Sequence, residues 1–422
     1  MVVETGFGKY EFCDIGSTRP KITRPDAYMV FKIIIFLGVI LALTIGAHLL
    51  LYKGLIRLFV ISSPGLKASL FIILLLLSLS FMASFFLLRW QENLLTVGFY
   101  MFSATWMGLF LNLLLAVLLS WTIIAAIWIT GSYPNTKIIA TVCLLLAVII
   151  STYGVWNAYH PRIKKLEVGF ENLPAQWENK VIVHLSDIHL GHFYGENFLE
   201  SLVKKVTVLD PELIFITGDL FDGMASDISH FADGLNQLKA KKGVYFITGN
   251  HETYIGINRA LDVLKQTKIK ILQNEAIEID GLGVIGITYP GVRQTENIRG
   301  LEKWQRPPND TKPLILLFHT PTNISPKGGD GFQQHFATYW VPDTTFSLAK
   351  KLGVDLQLSG HTHAGQIFPC GYLTNLIYKG YDYGLKRIGN FSIYTTSGVG
   401  TWGPPMRTGS LPEVVLIKMK AL

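Results

Sequence analysis

Val181-Ile182-Val183-His184-Leu185-Ser186-Asp187-Ile188-His189 runs from an apolar, β-branched stretch straight into two side chains of metal-ligand type. A short apolar run ended in this way reads as a buried strand whose exit loop carries chemistry. The pattern recurs downstream. Leu213-Ile-Phe-Ile-Thr217 leads to Gly218-Asp219, and Val244-Tyr-Phe-Ile-Thr248 to Gly249-Asn250-His251-Glu252. Leu314-Ile-Leu-Leu-Phe318 leads to His319, and Leu356-Gln-Leu358 to Ser359-Gly360-His361-Thr362-His363. Other strand-like runs are Val284-Ile-Gly-Ile-Thr288, Phe391-Ser-Ile-Tyr-Thr395 and Val414-Val-Leu-Ile417, and helical three-to-four spacing appears at 198–206 and 258–268. Strands alternating with helices predict an α/β domain over 166–422, the later strands forming a second sheet packed on the first.

Loops beyond strand ends are where α/β folds place ligands, because the sheet fixes the donors while the loop exposes them. Asp187, His189, Asp219, Asn250, His319, His361 and His363 would converge there. This mixture of hard oxygen and borderline nitrogen donors suits Mn²⁺ first, with Fe or Zn²⁺ as alternatives, over Ca²⁺ or copper(I). Members two apart, as in Asp187-x-His189 and His361-x-His363, would point to one face of an extended backbone. Glycine before Asp219, Asn250 and His361 would relieve crowding and permit positive φ. Seven donors suffice for a two-metal site that polarises a phosphoryl oxygen and lowers the pKa of a water. Taken singly, a Gly-Asp reads as a turn and a Gly-Asn-His-Glu as a helix N-cap. Five such endings in order, each after an apolar strand, argue for a site.

The other half of the 422-residue chain is of a different kind. Half of all residues are hydrophobic and only 16% are charged, below the roughly 25% usual in soluble proteins. Residues 1–165 carry 13 Lys+Arg against 5 Asp+Glu, net +8, while 166–422 carry 24 against 25, net −1. The overall +7 is therefore not a nucleic-acid signature, which would need its excess on the polar domain. Uncharged runs predict four membrane spans at about 33–52, 68–88, 97–130 and 138–157, within a 28–160 membrane domain. The third is expected to be one long, tilted helix. The polar segment 1–27 lacks the apolar stretch of a cleavable signal peptide. Nine basic residues (Lys9, Arg19, Lys21, Arg24, Lys32, Arg89, Arg162, Lys164, Lys165) flank one side and four (Lys53, Arg57, Lys67, Lys137) the other. The excess predicts a cytoplasmic N-terminus and a cytoplasmic C-terminal domain. His48, the ionisable group within the spans, reads as a packed or interfacial histidine rather than part of a proton path. Cys13, Cys143 and Cys370 are too scattered for a disulfide framework or thiolate zinc site.

Asp187-x-His189, Gly218-Asp219, Gly249-Asn250-His251-Glu252, His319 and Gly360-His361-Thr362-His363, in that order, resemble the signature of the calcineurin-like metallophosphoesterases. The strings 186–191, 359–367 and Gly403-Pro-Pro-Met-Arg407 further resemble the branch of transmembrane metallophosphoesterase proteins and bacterial lipid-acting relatives. The resemblance implies a four-layer αββα sandwich, here preceded by an all-α membrane domain of four transmembrane helices, and a dinuclear centre. By motif position, Asp187, His189 and His363 would hold one divalent ion, Asn250, His319 and His361 the other, and Asp219 would bridge. His251 would contact the phosphate and assist the leaving group, and Glu252 would orient the loop or a histidine. In-line attack of a metal-bound hydroxide on phosphorus is the implied mechanism. Arg407 and His192 are candidate phosphate contacts, with ordinary packing as the alternative.

The chain thus reads as a multi-pass membrane phosphoesterase whose partners are the bilayer and a phosphate-containing substrate, with no nucleic acid expected. A lipid-linked phosphodiester or pyrophosphate is favoured, by analogy with enzymes that cleave UDP-diacylglucosamine-type nucleotide lipids. The short linker from Tyr159 to Lys165 and the apolar, aromatic stretch 367–383 after His363 motivate it, since amphipathic aromatics suit a headgroup interface. For that stretch an interior loop and strand is the alternative. The rival functions are a membrane sensor or scaffold without turnover, a phosphoesterase of soluble substrates, a transporter and a nuclease. Segment 320–343, with Lys327-Gly-Gly-Asp-Gly331 and Gln333-Gln-His335, reads as a lid or an irregular loop.

Overall fold

The computed structural model describes residues 27–225, 227–289, 311–324 and 340–422. Most of the 320–343 segment thus lies outside the described residues. Helices α1 (Ala27–Phe59), α2 (Pro64–Trp90), α3 (Leu94–Ile129) and α4 (Thr136–Ala158) come first. All four are long and apolar enough to cross a membrane. Their ends are set by local chemistry. The Ser63 hydroxyl accepts from the Leu66 N–H, with Pro64 in the first helical turn, and Asn135 accepts from Ile138. Asn93 and Thr96 form a reciprocal capping box. The charge-free stretch is one unbroken helix of 36 residues, about 54 Å at 1.5 Å per residue, well over the roughly 30 Å of a bilayer's hydrocarbon. The surplus lies at its start, where Tyr100 and Gly108 are packed against the α/β domain.

The described residues divide into two compact units, with the boundary between Leu43 and Thr44. In the first, Ile34, Ile35, Val39 and Leu43 of α1 are exposed. Within the second, Leu51, Leu58, Leu74, Phe110, Val117 and Ile124 make the core of the helical bundle. His48 is buried there, its ring stacked on Phe110 at 3.7 Å. Its Nδ1 donates to the Thr44 carbonyl and its Nε2 accepts from Trp106, so this histidine is packed.

The α/β domain runs β1 (Arg162–Phe170), β2 (Val181–Leu185), α5 (Glu196–Thr207), β3 (Leu213–Thr217), α6 (Ala232–Leu235), β4 (Val244–Ile247), α7 (Asn250–Ile255), α8 (Ile257–Leu264) and β5 (Lys270–Ile271). It continues with β6 (Glu275–Ile279), β7 (Leu282–Ile287), β8 (Leu314–Phe318), α9 (Ser347–Lys351), β9 (Leu356–Ser359), α10 (Cys370–Ile377), β10 (Gly384–Ile388), β11 (Phe391–Thr395) and β12 (Glu413–Ala421). Two six-stranded mixed sheets result, ordered β1-β12-β2-β3-β4-β5 and β10-β11-β9-β8-β7-β6.

Alternation sorts the side chains into layers. Ile182, Phe215, Tyr245 and Ile247 of the first sheet meet Val284, Leu317, Leu358 and Tyr394 of the second. Val183, Ile214 and Phe246 face the other way, onto Leu199, Leu202 and Val206 of α5 and Leu264 of α8. The outer face of the second sheet packs Leu316 and Ile393 on Phe346, Leu348 and Leu352. Strands β2, β3 and β4 are parallel neighbours, as are β7, β8 and β9, so the exits of β2, β3 and β4 lie together, as do those of β8 and β9.

Candidate metal centre

At these exits the backbone bends sharply. Asp187, His189, Asp219, His361 and His363 all adopt positive φ, between 51° and 75°, a region costly for non-glycine residues. The expectation of extended Asp-x-His and His-x-His pairs is corrected accordingly: left-handed turns, rather than strand alternation, aim these side chains inward. Space is the second constraint. A Cβ on Gly218 would lie 2.6 Å from the Gly249 nitrogen, and one on Gly249 or Gly360 would collide with Asp219 or Asp187. Of these three glycines only Gly218 has positive φ; crowding decides the other two.

Asp187, His189 and His363 bring one ligand atom each within 4.8 Å of one another, and so do Asp219, His319 and His361. Asn250 joins the second group, its Oδ1 lying 3.0 Å from His319 Nε2 and 2.9 Å from His361 Nδ1. His189 Nε2 and His363 Nε2 face each other at 3.1 Å. His319 Nε2 is 3.1 Å from Asp219 Oδ2, while its Nδ1 donates to the Thr217 carbonyl, leaving Nε2 as the ligand atom.

The donors fit divalent cations. Burial pushes the Asp187 carboxyl up to about 6, and it pushes Asp222 up to about 6. Burial also opposes the charge on Asp219, yet His319 and His251 hold that carboxyl well below its usual range. His319 answers in kind: burial works against its proton, but Asp219 lifts it to about 9. Burial keeps His189 and His363 neutral, aided by His251 for the first and Arg407 for the second. Neutral His189 and His363 beside buried carboxylates, with the Asp219 charge answered by a proton on His319, form a site in which a metal ion would take the place of that proton.

Glu252 organises the loops. Its carboxylate accepts from the backbone N–H groups of Asp219, Leu220, Phe221 and Gly249, tying the β3 exit to the start of α7. His251 donates from Nδ1 to the Asp222 carbonyl, so its Nε2 is directed elsewhere. Its ring stands 4.5 Å from that of His189, edge to face. His189, Asp222 and His251 form a third close group. Asp222 escaped the sequence reading, and the spacing Gly218-Asp219-x-x-Asp222 was the available signal.

The two candidate phosphate contacts, for which packing was the alternative, are both held by neighbouring side chains. Arg407 is fully buried; its guanidinium donates to the His363 carbonyl, the Ser410 hydroxyl and the Ser397 carbonyl, and it lies 3.1 Å from His363 Nδ1. It stands behind a ligand and is unavailable to substrate. His192 lies 3.5 Å from a Glu92 carboxylate oxygen, its ring against Tyr100. Both Glu92 and Tyr100 come from the α2–α3 region. The Tyr100 hydroxyl donates to Asp222 Oδ2 at 3.5 Å, and Arg89 of α2 donates to the Gly223 and Tyr254 carbonyls.

Residues 180–365 match the calcineurin-like phosphoesterase family model. An uncharacterized metallophosphoesterase of Campylobacter jejuni is 33% identical over 66% of this chain and 68% of its own length. The chain belongs to the metallophosphoesterases. A metallophosphoesterase of Aquifex aeolicus is 33% identical over 66% of this chain and 98% of its own length. A zebrafish (Danio rerio) transmembrane protein with metallophosphoesterase domain is 31% identical over 69% of this chain and 64% of its own. This metallophosphoesterase chain, with its four apolar helices, is a membrane protein.

Proposed function

We propose that the chain is a membrane-anchored, metal-dependent phosphoesterase that hydrolyses a lipid-linked phosphodiester or pyrophosphate on the cytoplasmic side. The observation carrying this reading is the contact of Tyr100 on α3 with Asp222, whose carbonyl holds His251. A membrane helix therefore forms one wall of the candidate centre.

Asp187, His189 and His363 would hold one divalent ion, Asn250, His319 and His361 a second, with Asp219 between them. Two such ions, Mn²⁺ being the first choice, would supply charge that polarises the phosphoryl group and acidifies a water molecule. His251 acts on the opposite oxygen. With Nδ1–H fixed on the Asp222 carbonyl, the protonated ring gives its Nε2 proton to the leaving oxygen as the P–O bond breaks. The proton lost by the attacking water returns the ring to its starting state.

The test compares full-length protein in lipid nanodiscs on two substrates, a nucleotide-diphosphate lipid and a soluble chromogenic diester. Preference for the lipid by tenfold or more in kcat/KM is expected. Equal or better turnover of the soluble diester would remove the lipid assignment.

A further inference from the structure

Helix α10 leaves the candidate centre directly. The turn His363–Gly365 rests on its first residues, where Gly365, at φ 72°, lies so close to Gly371 that no side chain would fit. From Ala364 to Tyr378 no residue is charged. None of the α10 residues is buried, and the side chains of Tyr372, Leu373 and Leu376 are 75%, 54% and 75% exposed. Phe368, also exposed, lies edge-to-face against Tyr372. A soluble surface would place polar groups at these positions. The backside is instead well held: Tyr378 is buried at the helix end and Asn375 donates to Asp382.

The depth of this face is fixed by its neighbours. The Phe368 N–H donates to the Thr408 hydroxyl, and the Gly409 N–H donates to the Gln366 carbonyl. Thr408 and Met406 crowd Gly154 of α4, and the Arg407 N–H donates to the Gly154 carbonyl at 2.9 Å. On α4 at this level stand Tyr153 and Trp156, both exposed and stacked at 5.8 Å, with Arg162 donating to the Tyr153 hydroxyl. Such an aromatic and basic group, at the end of an apolar helix, marks the headgroup boundary of a bilayer. Helix α10 is thus tied, through two short links, to the level at which α4 leaves the membrane.

We propose that α10 lies in the bilayer surface, with Phe368, Tyr372, Leu373 and Leu376 seated among headgroups and upper acyl chains, so that the mouth beside His363 is held at the membrane. The occupant of this face is the lipid surface, because the face continues the boundary of the transmembrane bundle and carries no charge to repel it. This deepens the lipid-linked reading above, but it stands or falls separately.

The experiment uses full-length protein in phosphatidylcholine/phosphatidylglycerol nanodiscs. Leu376→Cys, with Cys13 and Cys370 changed to serine, carries an environment-sensitive fluorophore, and lipids spin-labelled at shallow acyl positions serve as quenchers. A control probe at Glu278→Cys sits on β6, at the opposite edge of the same sheet from β10. Quenching at Leu376→Cys at least threefold stronger than at the control is expected. In parallel, Leu373→Ser/Leu376→Ser should lower turnover of a bilayer-embedded diester fivefold or more and leave a soluble diester unchanged. Quenching together with no preference for lipid substrates would support the seat of α10 while removing the proposed substrate. A probe no better quenched than the control would overturn the proposal, and if, besides, Cys370 of the unlabelled chain that retains it cross-links between two copies, the face belongs to self-association instead.

Discussion

Arg407 stands directly behind His363: one guanidinium nitrogen donates to the His363 carbonyl and the other lies 3.1 Å from its Nδ1. The same residue's backbone is held by α4, its N–H on the Gly154 carbonyl and its carbonyl on the Asn157 amide. One residue therefore joins the membrane bundle to a candidate metal ligand. Partners of this kind that orient a ligating histidine affect metal affinity about 10–100-fold when lost. Replacing Arg407 by lysine keeps a charge but loses the fork that serves several acceptors at once. Arg407→Lys is expected to weaken Mn²⁺ binding by that range and to lower stability by about 2–4 kcal/mol. Calorimetric titration of metal and thermal melts of the metal-free protein check the two effects separately.

The bundle side of the link is testable without touching the α/β domain. A Cβ on Gly154 would meet Thr408 at 2.5 Å and Met406 at 2.8 Å, both side-chain atoms of the 403–408 loop. Gly154→Leu is expected to displace that loop and cut kcat for a soluble diester severalfold, with KM little changed. Asn157→Ala, which removes one hydrogen bond and adds no bulk, should have a smaller effect in the same direction. A steady-state analysis of both variants separates kcat from KM.

Glu252 satisfies four backbone N–H groups with one carboxylate. Glutamine is nearly isosteric, but its amide turns a donor toward those donors. Leaving buried N–H groups unpaired costs roughly 1–3 kcal/mol each, so Glu252→Gln is expected to destabilise the fold by at least that amount and to loosen Asp219. Chemical denaturation, with and without Mn²⁺, reads the loss.

How much of this was legible in the sequence depends on distance along the chain. Asp187, Asp219, Asn250, His319 and His361 each follow an apolar strand, so local pattern alone located them. Strands β2, β3, β4, β7, β8, β9, β11 and β12 were visible as apolar runs, whereas β1, β5, β6 and β10, whose faces are largely exposed, were not. Asp222 was missed because its role comes from meeting His251 and Tyr100, 29 and 122 residues away. The choice left open for Arg407, phosphate contact or packing, has the same origin, since burial behind His363 is a tertiary fact that no spacing reveals. The left-handed turns at Asp187 and His363 were also hidden, because non-glycine residues there carry no sequence mark. In 367–383 the apolar composition was evident, but whether it faced inward or outward was settled only by α10 and its exposed face.

Acid sensitivity should arise partly between the sheets. Burial pushes His184, whose Nε2 lies 2.8 Å from the Thr217 hydroxyl, down to about 3. The unfolded chain takes up this proton below about pH 6.5 while the folded one refuses it until about pH 3. Its contribution to stability is therefore whole above pH 6.5 and is lost as pH falls toward 3. At pH 5 the loss amounts to about 2 kcal/mol relative to pH 7.5. His184→Gln, measured by denaturant unfolding at both pH values, is expected to show a pH-dependent loss smaller by about that amount.

The most direct test of the central claim, that the strand-exit cluster is a metal-dependent hydrolytic centre, is phosphodiester turnover by full-length protein in nanodiscs. Chelator-stripped protein would be titrated with Mn²⁺ beside an Asp219→Asn variant. Turnover that is absent without metal, returns with added Mn²⁺ and falls at least a hundredfold in Asp219→Asn is predicted. Turnover that ignores both the chelator and the substitution would contradict the account.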